Sequence, residues 1–123
     1  MFLRTGLCRT FFTGAVVLSL MTSAFAANPF LRSSFELPPG DLEIVKSAAQ
    51  NLYLDESKEV GAVETWRSDT TGNYGSVELI LIHAHNGLPC RRLQHDIRLS
   101  GVANPYRFII DRCKVEDGSW KFL

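Results

Sequence analysis

Residues 92–100 alternate with a period of two: Leu93, His95, Ile97 and Leu99 fall on one side, Arg92, Gln94, Asp96 and Arg98 on the other. Successive side chains of a strand point to opposite faces, so this stretch is confined to a strand with one apolar and one polar face. Cys90 lies just before it, and Cys113 lies in the next apolar run, Tyr106 to Val115. If the two cysteines face each other in an antiparallel hairpin, the whole register follows. Asp96 then meets Arg107 and Arg92 meets Asp111, on the cysteine face. On the other face Ile97 meets Tyr106, His95 meets Phe108 and Leu93 meets Ile110. Cross-strand pairs are the unit that stabilises a sheet, and most of these agree with one register. Arg91 opposite Arg112 disagrees, and Pro105 cannot donate to a ladder. The same register puts Gly101-Val102 at the tip, with glycine first, as a type II′ turn prefers. The expectation is a cross-strand disulfide on the polar face, with a helix over the opposite face.

The rest of the chain supplies that helix and further strands. Leu37-Pro38-Pro39-Gly40 is a breaker that suits a helix start. Leu42, Val45, Ala49 and Leu52 then recur at helical spacing up to about Tyr53. Asp41 and Glu43 fall in the first turn, where they complement the helix dipole. Asp55-Glu56-Ser57-Lys58-Glu59 is expected to be a solvated connection. Val60 to Trp66 is the first expected strand, Asp69 to Asn73 a turn, and Ser76 to Ala84 a central strand rich in β-branched and apolar residues. Asn86-Gly87 and Asp117-Gly118 are hairpin signals, and Trp120 to Leu123 closes the chain. Between the second strand and Arg92–Ser100 two registers compete. A tight Asn86-Gly87 turn pairs Leu79 with Gln94. One extra loop residue pairs Leu79 with His95, Leu81 with Leu93 and Val77 with Ile97, and Pro89 favours this looser form. The expected fold is α+β: one N-terminal helix on an antiparallel sheet of about four to five strands, with one disulfide.

The N-terminus fixes a compartment. Arg4 and Arg9 precede an apolar run, Phe11 to Met21, and Ala24-Phe25-Ala26 presents small residues for a signal peptidase. The run is too short for a span of roughly 20 residues. Cys8 precedes the run and follows Leu7, so it is no lipid acceptor, and it leaves with residues 1–26. What remains is 97 of the 123 residues, with residues 27–40 as an arm and 41–123 as one domain. The signal carries two of the 13 basic residues and none of the 13 acidic ones, leaving eleven against thirteen, a net charge of −2. No basic excess is available for nucleic acid or an anionic membrane. Outside the cytosol a lone cysteine pair becomes a disulfide. Closing the Cys90–Cys113 segment should contribute about 3 kcal/mol by loop entropy.

Chemistry-bearing patterns are few. His83 and His85 share a strand face, with His95 near them in the expected sheet, and two such histidines can ligate a metal. The acids or thiolates that would complete a site are not close, so they are taken as ordinary strand residues, and no metal or cofactor is expected. No nucleophile elbow, phosphate-binding glycine loop, zincin helix or C-x-x-C pair appears. Arg91-Arg92 is a candidate anion site; its plainer reading pairs Arg92 with Asp111 and leaves Arg91 solvated. Trp66 and Trp120 are read as core or sheet-face aromatics.

The order Trp66, Thr71-Gly72, Gly75-Ser76-Val77, Gly87, Cys90-Arg91, Gly101, Cys113 and Asp117-Gly118-Ser119-Trp120-Lys121 resembles the C-terminal domain of the bacterial 17 kDa outer-membrane surface antigens. The likeness spans roughly Asp41 to Leu123. It implies an α+β domain of the bacterial cell envelope with no established catalytic role. Three departures stand out: the chain lacks the lipid-accepting cysteine and the glycine-rich segment typical of that family, and Lys114 stands where an arginine often follows the second cysteine. The expected protein is therefore periplasmic or secreted and non-enzymatic. It would bind an envelope protein or cell-wall component, without nucleic acid and without a transmembrane segment in the mature chain. The alternative is a small periplasmic inhibitor or ligand-binding domain, using the uncovered sheet face or a pocket between helix and sheet. An enzyme on the same scaffold is the third.

Overall fold

The structure is a computed structural model and describes residues 36–123; the expected signal peptide, 1–26, and most of the expected arm, 27–35, lie outside the described residues. Helix α1 spans Pro39–Tyr53. Strands β1 (Val63–Arg67), β2 (Tyr74–His85), β3 (Leu88–Arg98), β4 (Tyr106–Lys114) and β5 (Trp120–Phe122) follow. They form one antiparallel sheet in the order β1-β2-β3-β4-β5. The fold is α+β, with the helix packed on one face of the sheet.

Proline opens α1, where a missing N–H costs nothing. The helix buries Val45, Ala48, Ala49, Leu52 and Tyr53 against Trp66, Val77, Leu79, Leu93 and Ile97. These residues are the core, and Leu37, just before the helix, packs partly against it. Asp41 is more than a dipole partner. It is buried, and its Oδ2 accepts hydrogen bonds from Thr71 Oγ1 (2.7 Å) and Asn73 Nδ2 (2.8 Å). Asn73 Oδ1 in turn accepts from the Ser100 amide at 2.8 Å. The helix start, the β1–β2 turn and the end of β3 are thereby tied at one point. Desolvation pushes the Asp41 pKa up, but hydrogen bonds from Ser68, Thr71 and Asn73 prevail and hold it below the usual carboxylate value.

The β3–β4 register has Cys90 opposite Cys113, Arg92 opposite Asp111, Leu93 opposite Ile110, His95 opposite Phe108, Asp96 opposite Arg107 and Ile97 opposite Tyr106. The ladder stops at Tyr106, directly after Pro105. The tip differs from a two-residue type II′ turn. Residues 99–105 form a longer loop in which the Val102 amide bonds the Leu99 carbonyl. Gly101 is then the third residue of that turn, with φ of +76°, the glycine position of a type II turn.

The β2–β3 register corrects the looser expectation. His85 pairs with Leu88 across a tight Asn86-Gly87 turn, both of whose residues have positive φ. A shift between Leu79 and Leu81 then brings Leu79 opposite Leu93, Val77 opposite His95 and Gly75 opposite Ile97. The cause is a conflict of parity. A tight turn alone would send Ser76, Glu78 and Ile80 to the helix and Val77 and Leu79 to solvent. One extra residue in β2 flips the alternation, so both demands are met. Pro89 does not oppose the tight turn; it takes a ladder position opposite Ala84. The first strand also starts later than Val60, at Val63, because residues 59–62 make a turn whose Gly61 has φ of +98°.

Candidate functional site

The face of the sheet away from α1 is built in cross-strand rows. His83, Cys90, Cys113 and Lys121 form the first row, and Leu81, Arg92 and Asp111 the second. Val63, Glu78, Gln94 and Ile109 form the third, and Thr65, Ser76, Asp96 and Arg107 the fourth. Cys90 and Cys113 are bonded, with Cα atoms 4.1 Å apart, and both are buried although they sit on this polar face. Arg92 forks onto Asp111, with Nε to Oδ1 at 2.8 Å and Nη2 to Oδ2 at 2.9 Å. Arg107 reaches Asp96 Oδ1 at 2.7 Å. These hydrogen bonds are the main reason both carboxyls stay below their usual pKa. Both pairs are partly or largely open to water, so each serves more to set register than to stabilise. Between the two ion-paired rows Val63 and Ile109 stand exposed, Ile109 at 59 %, with Leu81 exposed beside Arg92 and Tyr74 exposed beyond the Asp96–Arg107 row. The face therefore presents apolar side chains beside two ion pairs, Arg92–Asp111 and Arg107–Asp96.

The histidines do not come together. His83 stays on the open face, with Nε2 3.5 Å from Asp111 Oδ1. His95 is buried under the helix, on the other side of the sheet. Among the described residues no group of three or more His, Cys, Asp or Glu could hold a metal ion.

Arg91 is not solvated. It is 5 % exposed and on the helix face. Its Nη1 donates to the carbonyls of Leu52 (2.9 Å) and Lys58 (3.1 Å), and its Nη2 to that of Glu56 (2.9 Å). The last carbonyls of a helix lack intrahelical partners, and a guanidinium there satisfies them and complements the dipole. The loop 55–58 is thus wrapped around Arg91 through its backbone while its side chains remain outside. This explains the cross-strand arginine pair: Arg91 turns to the carbonyls, and Arg112 lies against two rings, its Cζ 4.5 Å from the Tyr53 centroid and 4.1 Å from that of Phe122. Two adjacent basic residues in the sequence carried no signal of this, because the acceptors are backbone atoms about 35 positions away.

Trp66 and Trp120 are framework aromatics. Trp66 is buried across the sheet from Gly75, and a Cβ on Gly75 would lie 2.9 Å from Trp66 Nε1. Trp120 packs on Tyr53 with centroids 5.7 Å apart. Thr71, Arg91 and both cysteines likewise make contacts that hold the fold. A groove of about 490 Å³ between the end of α1 and β1 is lined by Gln50, Asn51, Leu54, Asp55, Lys58 and Glu64, with no convergent catalytic set. Among the described residues no helix is long and apolar enough to cross a membrane. Comparison with known proteins finds no family model that matches the chain, no matching curated protein and no matching solved structure.

Proposed function

We propose that the chain is an exported, non-enzymatic protein of the bacterial cell envelope, and that its open sheet face binds another envelope protein. The observation that carries this reading is the third row of that face. It exposes Val63 and Ile109 beside Leu81, next to ion pairs that are internally neutralised. Apolar anchors among polar groups that keep their own hydrogen bonds suit a protein surface that must be soluble when free. The buried disulfide fits an oxidising compartment. The signal-like N-terminus and the surface-antigen resemblance support the same location.

Two measurements test it. Fusion of residues 1–40 to a reporter that is active only outside the cytosol should give activity in a Gram-negative host; an inactive, cytosolic fusion would remove the export reading. Photo-crosslinking from Gln94 in the intact mature chain, within living cells, should give one discrete adduct that Leu81→Lys with Ile109→Glu abolishes. An adduct pattern indifferent to that pair, in a variant that melts like the parent, would sink the binding face.

A further inference from the structure

Among the described residues Arg112 is a cation with no anion paired to it. It lies on the helix face of β4, opposite Arg91 on β3 and Phe122 on β5. On that face the three strands also carry His95 and Lys114, and no acid. Glu56, the acid that reaches over from the loop, is bonded to Lys114 at 3.2 Å. No described residue forms an ion pair with Arg112, and residues 1–35 contain no Asp or Glu at all. The Arg112 Nε is buried with no hydrogen-bond acceptor among the described residues. Burial lowers its pKa from the ordinary arginine value. The Tyr53 and Phe122 rings answer the charge through their faces but accept none of the in-plane N–H hydrogens. Desolvating a charge without an opposite charge is costly, and an apolar residue there would serve the core better. The side chain nevertheless stays partly exposed, with Trp120 beside Tyr53 at the same end of the helix.

We propose that Arg112, with Trp120 and Phe122, binds an organic carboxylate that has an aromatic or apolar body. A guanidinium edge matches a carboxylate in a planar, two-bond geometry. Trp120 and Phe122, which stay partly exposed, supply apolar surface for the body of the ligand, while the buried Tyr53 ring backs the guanidinium. The carboxylate is either that of a free small acid or the C-terminus of a peptide; the chemistry recognised is the same. This site is on the opposite side of the sheet from the protein-binding face proposed above and stands or falls separately.

The test is NMR titration of the mature, oxidised chain with N-acetyl-phenylalanine, following the Arg112 Nε–H and Trp120 indole N–H signals. Saturable shifts of both are expected, weakened by about tenfold or more in Arg112→Gln and equally for the amide-capped probe, N-acetyl-phenylalaninamide. A tripeptide ending in phenylalanine that binds more tightly than the single residue marks a peptide terminus as the source; the reverse order marks a free acid. Arg112→Met separates ligand binding from framework: it should melt at or above the parent temperature while losing the probe. No saturable shift up to about 10 mM, equal shifts from the amide, or a collapse of stability in Arg112→Met would each overturn the site.

Discussion

Gly75 and Arg91 show how single residues decide this fold by what surrounds them. A Cβ at Gly75 would press on the Trp66 ring and on the Asp96 carbonyl, and a central strand has little freedom to yield. Gly75→Ala should therefore cost about 1–3 kcal/mol in urea unfolding, the range of overpacking a tight interior. Gly40→Ala is its control: no atom lies within 4 Å of the new methyl and the residue is helical, so the change should be neutral or stabilise by up to about 1 kcal/mol. Arg91→Met removes the donors from four backbone carbonyls around the helix end, those of Leu52, Asp55, Glu56 and Lys58. Losing hydrogen bonds to a charged group and stranding buried acceptors should cost about 2–4 kcal/mol. Hydrogen exchange should show the last turn of α1 and the loop 55–58 opening first. Arg91→Lys should recover only part of this, since one ammonium cannot span the fork.

Among the elements, the β3–β4 hairpin was the most legible in the sequence. Its alternation, its two charge pairs and its cysteines each require the same register, and local agreement of that kind is what makes a strand pair specific. Replacing Cys90 and Cys113 together by alanine should lower stability by about 3 kcal/mol, read as a shift in the urea midpoint that reduction of the parent reproduces. The β2–β3 hairpin was less legible. Of its two competing registers Pro89 favoured the looser turn, which puts Val77 and Leu79 on the Leu93 face as observed but pairs Leu79 with His95 where the structure has Leu93. The turn won because Asn86-Gly87 fits two successive positive-φ positions, so the irregularity moved to residue 80. Asn86→Val should cost about 1 kcal/mol, since a β-branched residue is strained at φ of 48°. It should do so without changing the core, which the bulge sets independently.

The molecule as a whole should lose stability in two acid stages. Burial is the main cause that brings His95 down to about 4; the nearby Arg112 charge adds to it and Asp96 opposes it. The unfolded chain takes up this proton near pH 6.5 and the folded chain only near 4, so this part of the stability is complete above about 6.5. It declines as the pH falls, and about 2 kcal/mol of it should be gone between pH 7 and 5. Urea midpoints across that range should fall in the parent and stay level in His95→Gln. Asp41, Asp96 and Asp111 have pKa values below 3.8 in the fold, so their contribution is present above that value and is lost only as the pH drops through the folded pKa. At this scale the sequence by itself determined the class of fold, the strand faces and the disulfide, because each follows from a local period or from pairing between chain neighbours. Only the tertiary structure decided where Asp41, Arg91, His95 and Arg112 sit. Their partners are backbone carbonyls, rings and side chains some 30 or more positions away, or a shared burial, and no period along the chain records a distance through space.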